Sequence, residues 1–266
     1  HSDQQSVLVS AGSDYQALGV AAGLAIAGPG AAVSPSVGVA VLNLDTEAYI
    51  DDGAVVNARK DVLVTAHATQ NVLEITAGIA GAFVGIGGSA AVIVIDSATH
   101  AHIGTDRTTG GTLVANVDDS TGARVAAGGN VLVSATDETD IDVVAGGVGA
   151  GAVGIGAAAA VTTVSKDTRA YIGDHAAVDA LGNGSSLAGI YSTDIDTKAD
   201  LRGLAVQAVS SESLFTLGVA GGGAVYFALG GAVSVEIIDS DTTAYIGAGA
   251  DINQRTLATN FGSVHA

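Results

Sequence analysis

The sequence has no cysteine, methionine or tryptophan, and only two prolines among its 266 residues. Without cysteine, disulfides and thiolate zinc sites are excluded. Basic residues are also scarce, because 9 lysines and arginines stand against 27 aspartates and glutamates, a formal charge of −18. Such a field repels nucleic acid and anionic headgroups, so we expect no nucleic-acid partner and no membrane partner.

Glycine is abundant instead, at 38 residues, and 48% of the chain is hydrophobic. Disordered chains carry more proline and charge and fewer β-branched residues, so a folded chain is expected. Its core must be built from small side chains. The chain opens on polar residues rather than a secretory signal, which is expected of a processed product or an excised fragment.

One short signature occurs four times and organises the chain. Its copies are Ala48-Tyr49-Ile50-Asp51, Ala101-His102-Ile103-Gly104, Ala170-Tyr171-Ile172-Gly173 and Ala244-Tyr245-Ile246-Gly247. The copies are 53, 69 and 74 residues apart, and residues 61–104 align with 130–173 without a gap. Repeats of this period are typical of stacked architectures.

Four degenerate units follow from the signature, at about residues 6–58, 61–127, 130–187 and 189–253. We interpret residues 1–253 as one repeat array and 254–266 as a C-terminal exit or coupling segment. Each unit opens with a predicted strand in which apolar and other residues alternate. In the fourth unit this pattern is weaker, at Ile190-Tyr191-Ser192-Thr193. Residues 105–124 are predicted to be a surface excursion, and 194–213 an added strand pair.

Apolar triplets at period two precede each signature, as in Val37/Val39/Val41 and Ala90/Val92/Val94. This spacing places each triplet on one face of a strand. Because the alternate face is also small or apolar in the first three units, we expect inner strands, with Val92 and its equivalent Val161 facing the interior.

The uncharged glycine- and alanine-rich runs, such as residues 143–165, allow two interpretations. Their length suits membrane-spanning helices packed through small residues, as in a glycine-zipper membrane protein. Acidic flanks, the lack of tryptophan and the helix-weakening glycines favour strands instead. The phase of alternation flips near residues 82–83 and 151–152, which predicts a corner or bulge there.

Together with the signature, the segments 128–135 (GGNVLVSA) and 151–158 (GAVGIGAA) resemble repeats of very large bacterial exoproteins, the filamentous-adhesin and leukotoxin-like surface proteins. The resemblance covers about residues 6–253. It implies an all-β parallel β-solenoid, secreted to the cell surface, that serves as a fibre or adhesin stalk. His102 in place of tyrosine, Asp51 in place of glycine and the long fourth unit depart from an even array.

A solenoid would stack equivalent side chains as ladders. With coils of roughly 20–25 residues we expect about a dozen coils and a rod about 50–60 Å long. The predicted ladder positions are the signature residues Tyr49, His102, Tyr171, Tyr245, Ile50, Ile103, Ile172 and Ile246. Open edges at the ends would pair with copies of the chain or with neighbouring repeats of a parent chain.

Clustered carboxylates suggest the one cofactor to consider, calcium, which prefers oxygen ligands. The candidate ligands are Asp137, Asp140, Asp142, Asp194, Asp196, Asp239 and Asp241. The alternative is a solvated strand edge kept soluble by charge. His100 and His102, two residues apart on one strand face, are a second metal candidate, but no third ligand is evident.

No catalytic constellation is apparent, since aromatic and basic residues are sparse and no nucleophile motif occurs. We therefore expect a non-enzymatic structural repeat segment of a secreted bacterial surface fibre or adhesin. The alternative is a self-assembling subunit of an extracellular filament, sheath or matrix. Host or matrix surface ligands are further candidate partners.

Overall fold

The computed structural model describes residues 5–106, 108–109, 112–113, 122–191, 198–254 and 263–265, and most of these residues lie in strands. No helix in these ranges is long and apolar enough to cross a membrane. Six strands are long. They are β1 Val7–Ile26, β2 Ala31–Ile50, β4 Val62–Gly81, β5 Val84–Ile103, β9 Val131–Ile172 and β13 Gly203–Ile246.

The other strands are short. Four of them form a separate sheet, namely β3 Val55–Ala58, β8 Arg124–Ala127, β10 Ala177–Ala180 and β14 Asp251–Ile252. The remaining five are β6 Thr108–Thr109, β7 Thr112–Leu113, β11 Leu187–Tyr191, β12 Lys198–Leu201 and β15 Ser263–His265.

Each repeat forms one complete coil. The chain runs along a first arm, turns at a tip, returns along a second arm and crosses a base in a short strand. Coil 1 is β1, β2 and β3; coil 2 is β4, β5 and β8; coil 3 is β9 and β10; coil 4 is β13 and β14. The tip falls at residues 82–83 in coil 2 and 151–152 in coil 3, which confirms the corner predicted from the phase flip.

The coils stack in parallel through main-chain hydrogen bonds. β4 pairs with the first arm of β9, and β5 with its second arm, at the constant offset of 69 residues read from the sequence. Coil 1 pairs with coil 2, and coil 3 with coil 4, in the same sense. The all-β parallel solenoid of four repeats is confirmed.

The predicted coil length is wrong. A coil spans a whole repeat rather than a third of one, because each arm is an unbroken strand of about 20 residues. At the usual rise and strand spacing, each arm is roughly 66 Å long while four coils rise only about 15 Å. The molecule is therefore wide across its axis and short along it.

The interior changes from base to tip. Near the base it is filled by valine, isoleucine and alanine, including Val62, Val131 and Ile172, and further out by Ile93 and Ile141. Towards the tip the two arms touch through glycine: a Cβ added at Gly147 or Gly149 would overlap the carbonyl oxygen of Ala157 or Ile155. The glycine-rich runs thus form the thin end of a two-layered blade.

The predicted inward face of the second arms is wrong. Ile93 is fully buried and Val92 beside it points outward, and in coil 1 Val39 is 63% exposed. The interior is lined by the alternate residues, such as Ala91, Ile95 and Ala160. Both faces of these strands are apolar, so hydrophobicity alone did not identify the inner one.

The fourth unit departs from the sequence interpretation. Ile190 lies in β11, which pairs antiparallel with β12, and the first arm of coil 4 begins at Gly203. β15, within the predicted exit segment, pairs in parallel with residues 203–205 of β13. In the predicted excursion 105–124, β6 and β7 form a two-stranded sheet, and β8 belongs to the base.

Candidate functional site

The signature rings form one stack across all four coils. They are Tyr49, His102, Tyr171 and Tyr245. Neighbouring ring centroids are 5.2, 4.7 and 5.1 Å apart, and neighbouring planes lie within 7° of each other. The predicted isoleucine column is Ile50, Ile103, Ile172 and Ile246, and it packs in the base core. The signature therefore stabilises the base with one aromatic and one aliphatic column.

His102 of the second signature and His100 just before it each lie beside a carboxylate. His102 is buried, with Nδ1 2.7 Å from the carbonyl oxygen of Gly104 and Nε2 3.0 Å from Glu47. His100 lies 3.3 Å from Asp167. Within the described ranges, no group of three histidine, aspartate or glutamate side chains is arranged to hold a metal.

The two tyrosines at the far end of the stack lie beside Asp106, and both have raised pKa values. The hydroxyl of Tyr245 donates to Asp106 at 2.7 Å. Burial, followed by the charges of Glu47 and Asp106, raises the pKa of Tyr171 to about 12. Burial and the bond to Asp106 raise the pKa of Tyr245 as well. Both rings thus stay neutral over the physiological range, consistent with packing.

The calcium candidates are dispersed. Asp137 points into the coil, whereas Asp140 and Asp142 point outward on the same arm. Asp239 and Asp241 lie on the second arm of coil 4, where Asp241 approaches Arg169 at 3.9 Å. Asp194 and Asp196 lie outside the described residues. The structure does not bring the described candidates into one site, and calcium binding stays a prediction.

The outer faces near the tip are apolar and exposed. On the first arm of coil 1, Leu24 and Ile26 are 70% and 80% exposed, and the corner residues Val225 and Tyr226 of coil 4 are both 80% exposed. The outward valines of the second arms continue this surface, which we call the blade faces. Contiguous apolar surface of this kind marks interaction sites in soluble proteins.

A charged cluster lies between the arms, at the middle of the interior. Lys166 Nζ lies 2.8 Å from Asp137 Oδ1 and 3.2 Å from Glu212 Oε1. The side chains of Lys166 and Asp137 have no solvent exposure, and that of Glu212 is 18% exposed. Desolvating an ion pair is costly, so its charges need close partners.

Coil 2 provides those partners for Asp137. Ser97 and Thr99 donate their hydroxyls to Asp137 Oδ2 at 2.7 and 2.9 Å. Gln70, with Nε2 turned towards Asp137, donates it to Oδ1 at 3.0 Å. Together with the ammonium group of Lys166, these side chains give the carboxylate four donors in an interior closed to solvent.

Sequence reasoning missed this cluster, although a signal existed. The sequence groups Asp137 with its acidic neighbours as a calcium candidate and assigns no role to Lys166. Lys166 alternates in phase with Val164 and Thr168, and period two places all three on one face. With the inner face assigned correctly, a lysine and an aspartate would both have been predicted inside.

The two end coils present open main-chain edges. Among the described residues, no strand pairs with the outer edge of β1 or β2, and coil 4 pairs beyond coil 3 only through β15. The carbonyls of Gly30 and Ile50 accept from coil 2, so odd-numbered residues of β2 direct their main-chain groups to the open edge. Pro35 is one of them, where its missing N–H costs no internal bond.

No family model, curated protein or solved structure matches the chain.

Proposed function

We propose that the chain is a non-enzymatic structural segment of a secreted bacterial surface fibre or adhesin, in which further coils stack on coils 1 and 4. The observation that carries this proposal is the pair of open, parallel edges at the two ends of one continuous stack. Unpaired edges of this length template pairing with another chain or another repeat.

The columns support continuation beyond each end. The aromatic stack passes through all four coils and stops at Tyr49 and Tyr245, each with one ring face away from its neighbour in the stack. A further coil in the same register would extend the ring stack and the isoleucine column together. This repetition of equivalent contacts is how solenoids grow.

The blade faces support a fibre or matrix setting, because they offer apolar area for lateral packing. His100, His102 and Asp137, which could otherwise carry chemistry, are engaged in the aromatic stack or in contacts with charged partners. The second candidate is a self-assembling filament subunit, which the same open edges favour.

The test is electron microscopy and light scattering of the pure protein over a concentration series. We expect particles that lengthen along the coil axis, because separate copies provide the missing neighbours. Pro35 already lacks one N–H at this edge, and Val39→Pro removes a second, so it should weaken this growth without unfolding the coil. Val39→Thr is the matched control and should still assemble.

Dispersed single particles of the unmodified chain at every concentration would contradict the proposal. Equal growth of the Val39→Pro and Val39→Thr variants would show that association uses the blade faces instead of the edges.

A further inference from the structure

We propose that Lys166 and Asp137 condense into an intramolecular isopeptide bond that joins the two arms of coil 3, with Glu212 as the proton-transfer group. The bond would form within one chain, whether or not copies associate. Three features of the buried cluster carry the proposal: proximity, the placement of a base and the placement of hydroxyl donors.

Proximity comes first. Nζ of Lys166 and Oδ1 of Asp137 are 2.8 Å apart, and neither side chain is exposed to solvent. The attacking nitrogen is therefore in contact with the carboxyl group whose carbon it must reach, and holding reacting groups together removes much of the entropic cost of their encounter. Each residue lies within the long strand β9, with strand on both sides of it.

The attacking amine must lose its proton, and Glu212 is placed to take it. Its Oε1 lies 3.2 Å from Nζ, and Ser240 donates a hydroxyl to the same oxygen at 3.1 Å. Burial acts to raise the pKa of Glu212, but hydrogen bonding from Ser210 and the charge of Lys166 outweigh it and hold the pKa below its usual range. Glu212 is thus ionised beside Nζ, and its low basicity suits a relay that passes the proton on to the leaving oxygen.

The hydroxyl donors lie where negative charge develops. When Nζ attacks the carboxyl carbon of Asp137, Oδ2 becomes the oxyanion, and Ser97 and Thr99 already donate to it at 2.7 and 2.9 Å. Donors preorganised in a dry site stabilise such an intermediate strongly.

The step balances without an external reagent. The bond from Nζ to the carboxyl carbon forms and the bond from that carbon to Oδ1 breaks. Two of the three ammonium protons leave with Oδ1 as one water, by way of Glu212, and the third remains on the amide nitrogen. One positive and one negative charge disappear together, which removes the cost of keeping that ion pair desolvated.

The chemistry is confined to coil 3. The positions equivalent to Lys166 are Leu44, Ser97 and Ser240, and those equivalent to Asp137 are Ser13, Ala68 and Ser210. No other coil has both an amine and a carboxyl group at these two positions. One bond per chain is therefore expected.

The test is intact-mass spectrometry of the full folded chain. We expect a mass lower than the sequence mass by about 18 Da, one water. Trypsin should then fail to cleave after Lys166 and release residues 125–169 as a single peptide lighter by the same amount. Fragment ions from backbone cleavage between Asp137 and Lys166 should be absent, since the bond closes that loop.

Variants separate the roles. Lys166→Arg keeps the charge but cannot form this amide, and Glu212→Gln keeps a polar contact but removes the base, so both should show the full sequence mass. Lys198→Arg, in β12, is the matched control and should remain lighter by one water. The full sequence mass in the folded, unmodified chain overturns the proposal, and so does loss of water that persists in Lys166→Arg. Loss of water in Glu212→Gln would overturn the role of Glu212.

Discussion

The rings of His102 and Tyr171 lie parallel, with their planes within 2° and their centroids 4.7 Å apart. His102 is also stacked on Tyr49, so it links coil 1 to coil 3 through its two faces. The one position that departs from tyrosine therefore lies inside the stack rather than at its end.

We expect His102→Ala to destabilise the fold by about 1–3 kcal/mol, because each aromatic pair contributes about 0.5–1.5 kcal/mol beyond burial. Thermal unfolding followed by circular dichroism measures the change. His67→Ala is the control, since His67 is exposed on the first arm of coil 2. Equal melting temperatures for both variants would mean that the stack contributes nothing.

Two adjacent residues of β5 test which face of the second arm lies inside the coil. Ile93→Asp places an unpaired charge in the interior and should cost more than about 4 kcal/mol, enough to prevent folding. Val92→Asp places the same charge on the outer face and should change stability by less than about 1 kcal/mol. Soluble yield and chemical denaturation distinguish them, and the opposite result would return Val92 to the interior.

Adjacent glycines near the tip of coil 3 test how closely the arms approach. Gly147→Ala would force a methyl group into the main chain of Ala157 and should lower the free energy of unfolding by about 1–3 kcal/mol. The methyl group of Gly146→Ala would point outward, where the nearest atom is 3.8 Å away, so this variant should be as stable as the native chain or slightly more stable. Equal decreases in the denaturation midpoints of the two variants would contradict the close packing of the two arms at the tip.

Glu74 makes stability depend on pH in a definite direction. Its carboxyl group lies between the two arms near Gly19 and Gly38, and burial raises its pKa above the ordinary 4.5. A carboxyl whose folded-state pKa is raised favours folding when protonated, and it opposes folding as pH rises through that pKa.

Glu74→Gln should therefore stabilise the protein at pH 7 by about 1 kcal/mol, the low end for a poorly solvated polar group. The gain in stability should vanish at pH values well below 4.5, the ordinary pKa of a glutamate, because the carboxyl group of Glu74 is then neutral in both the folded and the unfolded state. Melting temperatures across this range give the answer. Glu138→Gln, on the exposed outer face, should show no such trend, and a gain of equal size at low pH would contradict the assignment.

Sequence alone predicted the repeat, its register and the signature columns, because side chains at equivalent positions stack and stay chemically alike. Val62 pairs with Val131 and Val84 with Val153 at the aligned offset. The corner at residues 82–83 was also predicted, since period-two alternation must change phase where a strand turns. These features depend on local pattern and on repetition.

The coil length and the inner face were not predicted, for a common physical reason. Ordinary strands have five or six residues, so a run of twenty was divided into several. In most strands the more hydrophobic face is the inner one, but here Val92 on the outer face is as apolar as Ile93 on the inner face. The inward positions of Lys166 and Asp137 depend on that same assignment of the inner face, and their pairing depends on how the two arms oppose each other.

The long arms also fix the order in which the chain can fold. Val7 meets its partner Val62 only 55 residues later, and Val131 meets Leu204 73 residues later. Contacts so distant in sequence close slowly. During synthesis, a coil can acquire its main-chain partners only when the next coil has emerged. Growth should therefore proceed coil by coil from the first to the fourth, each finished edge serving as the template for the next.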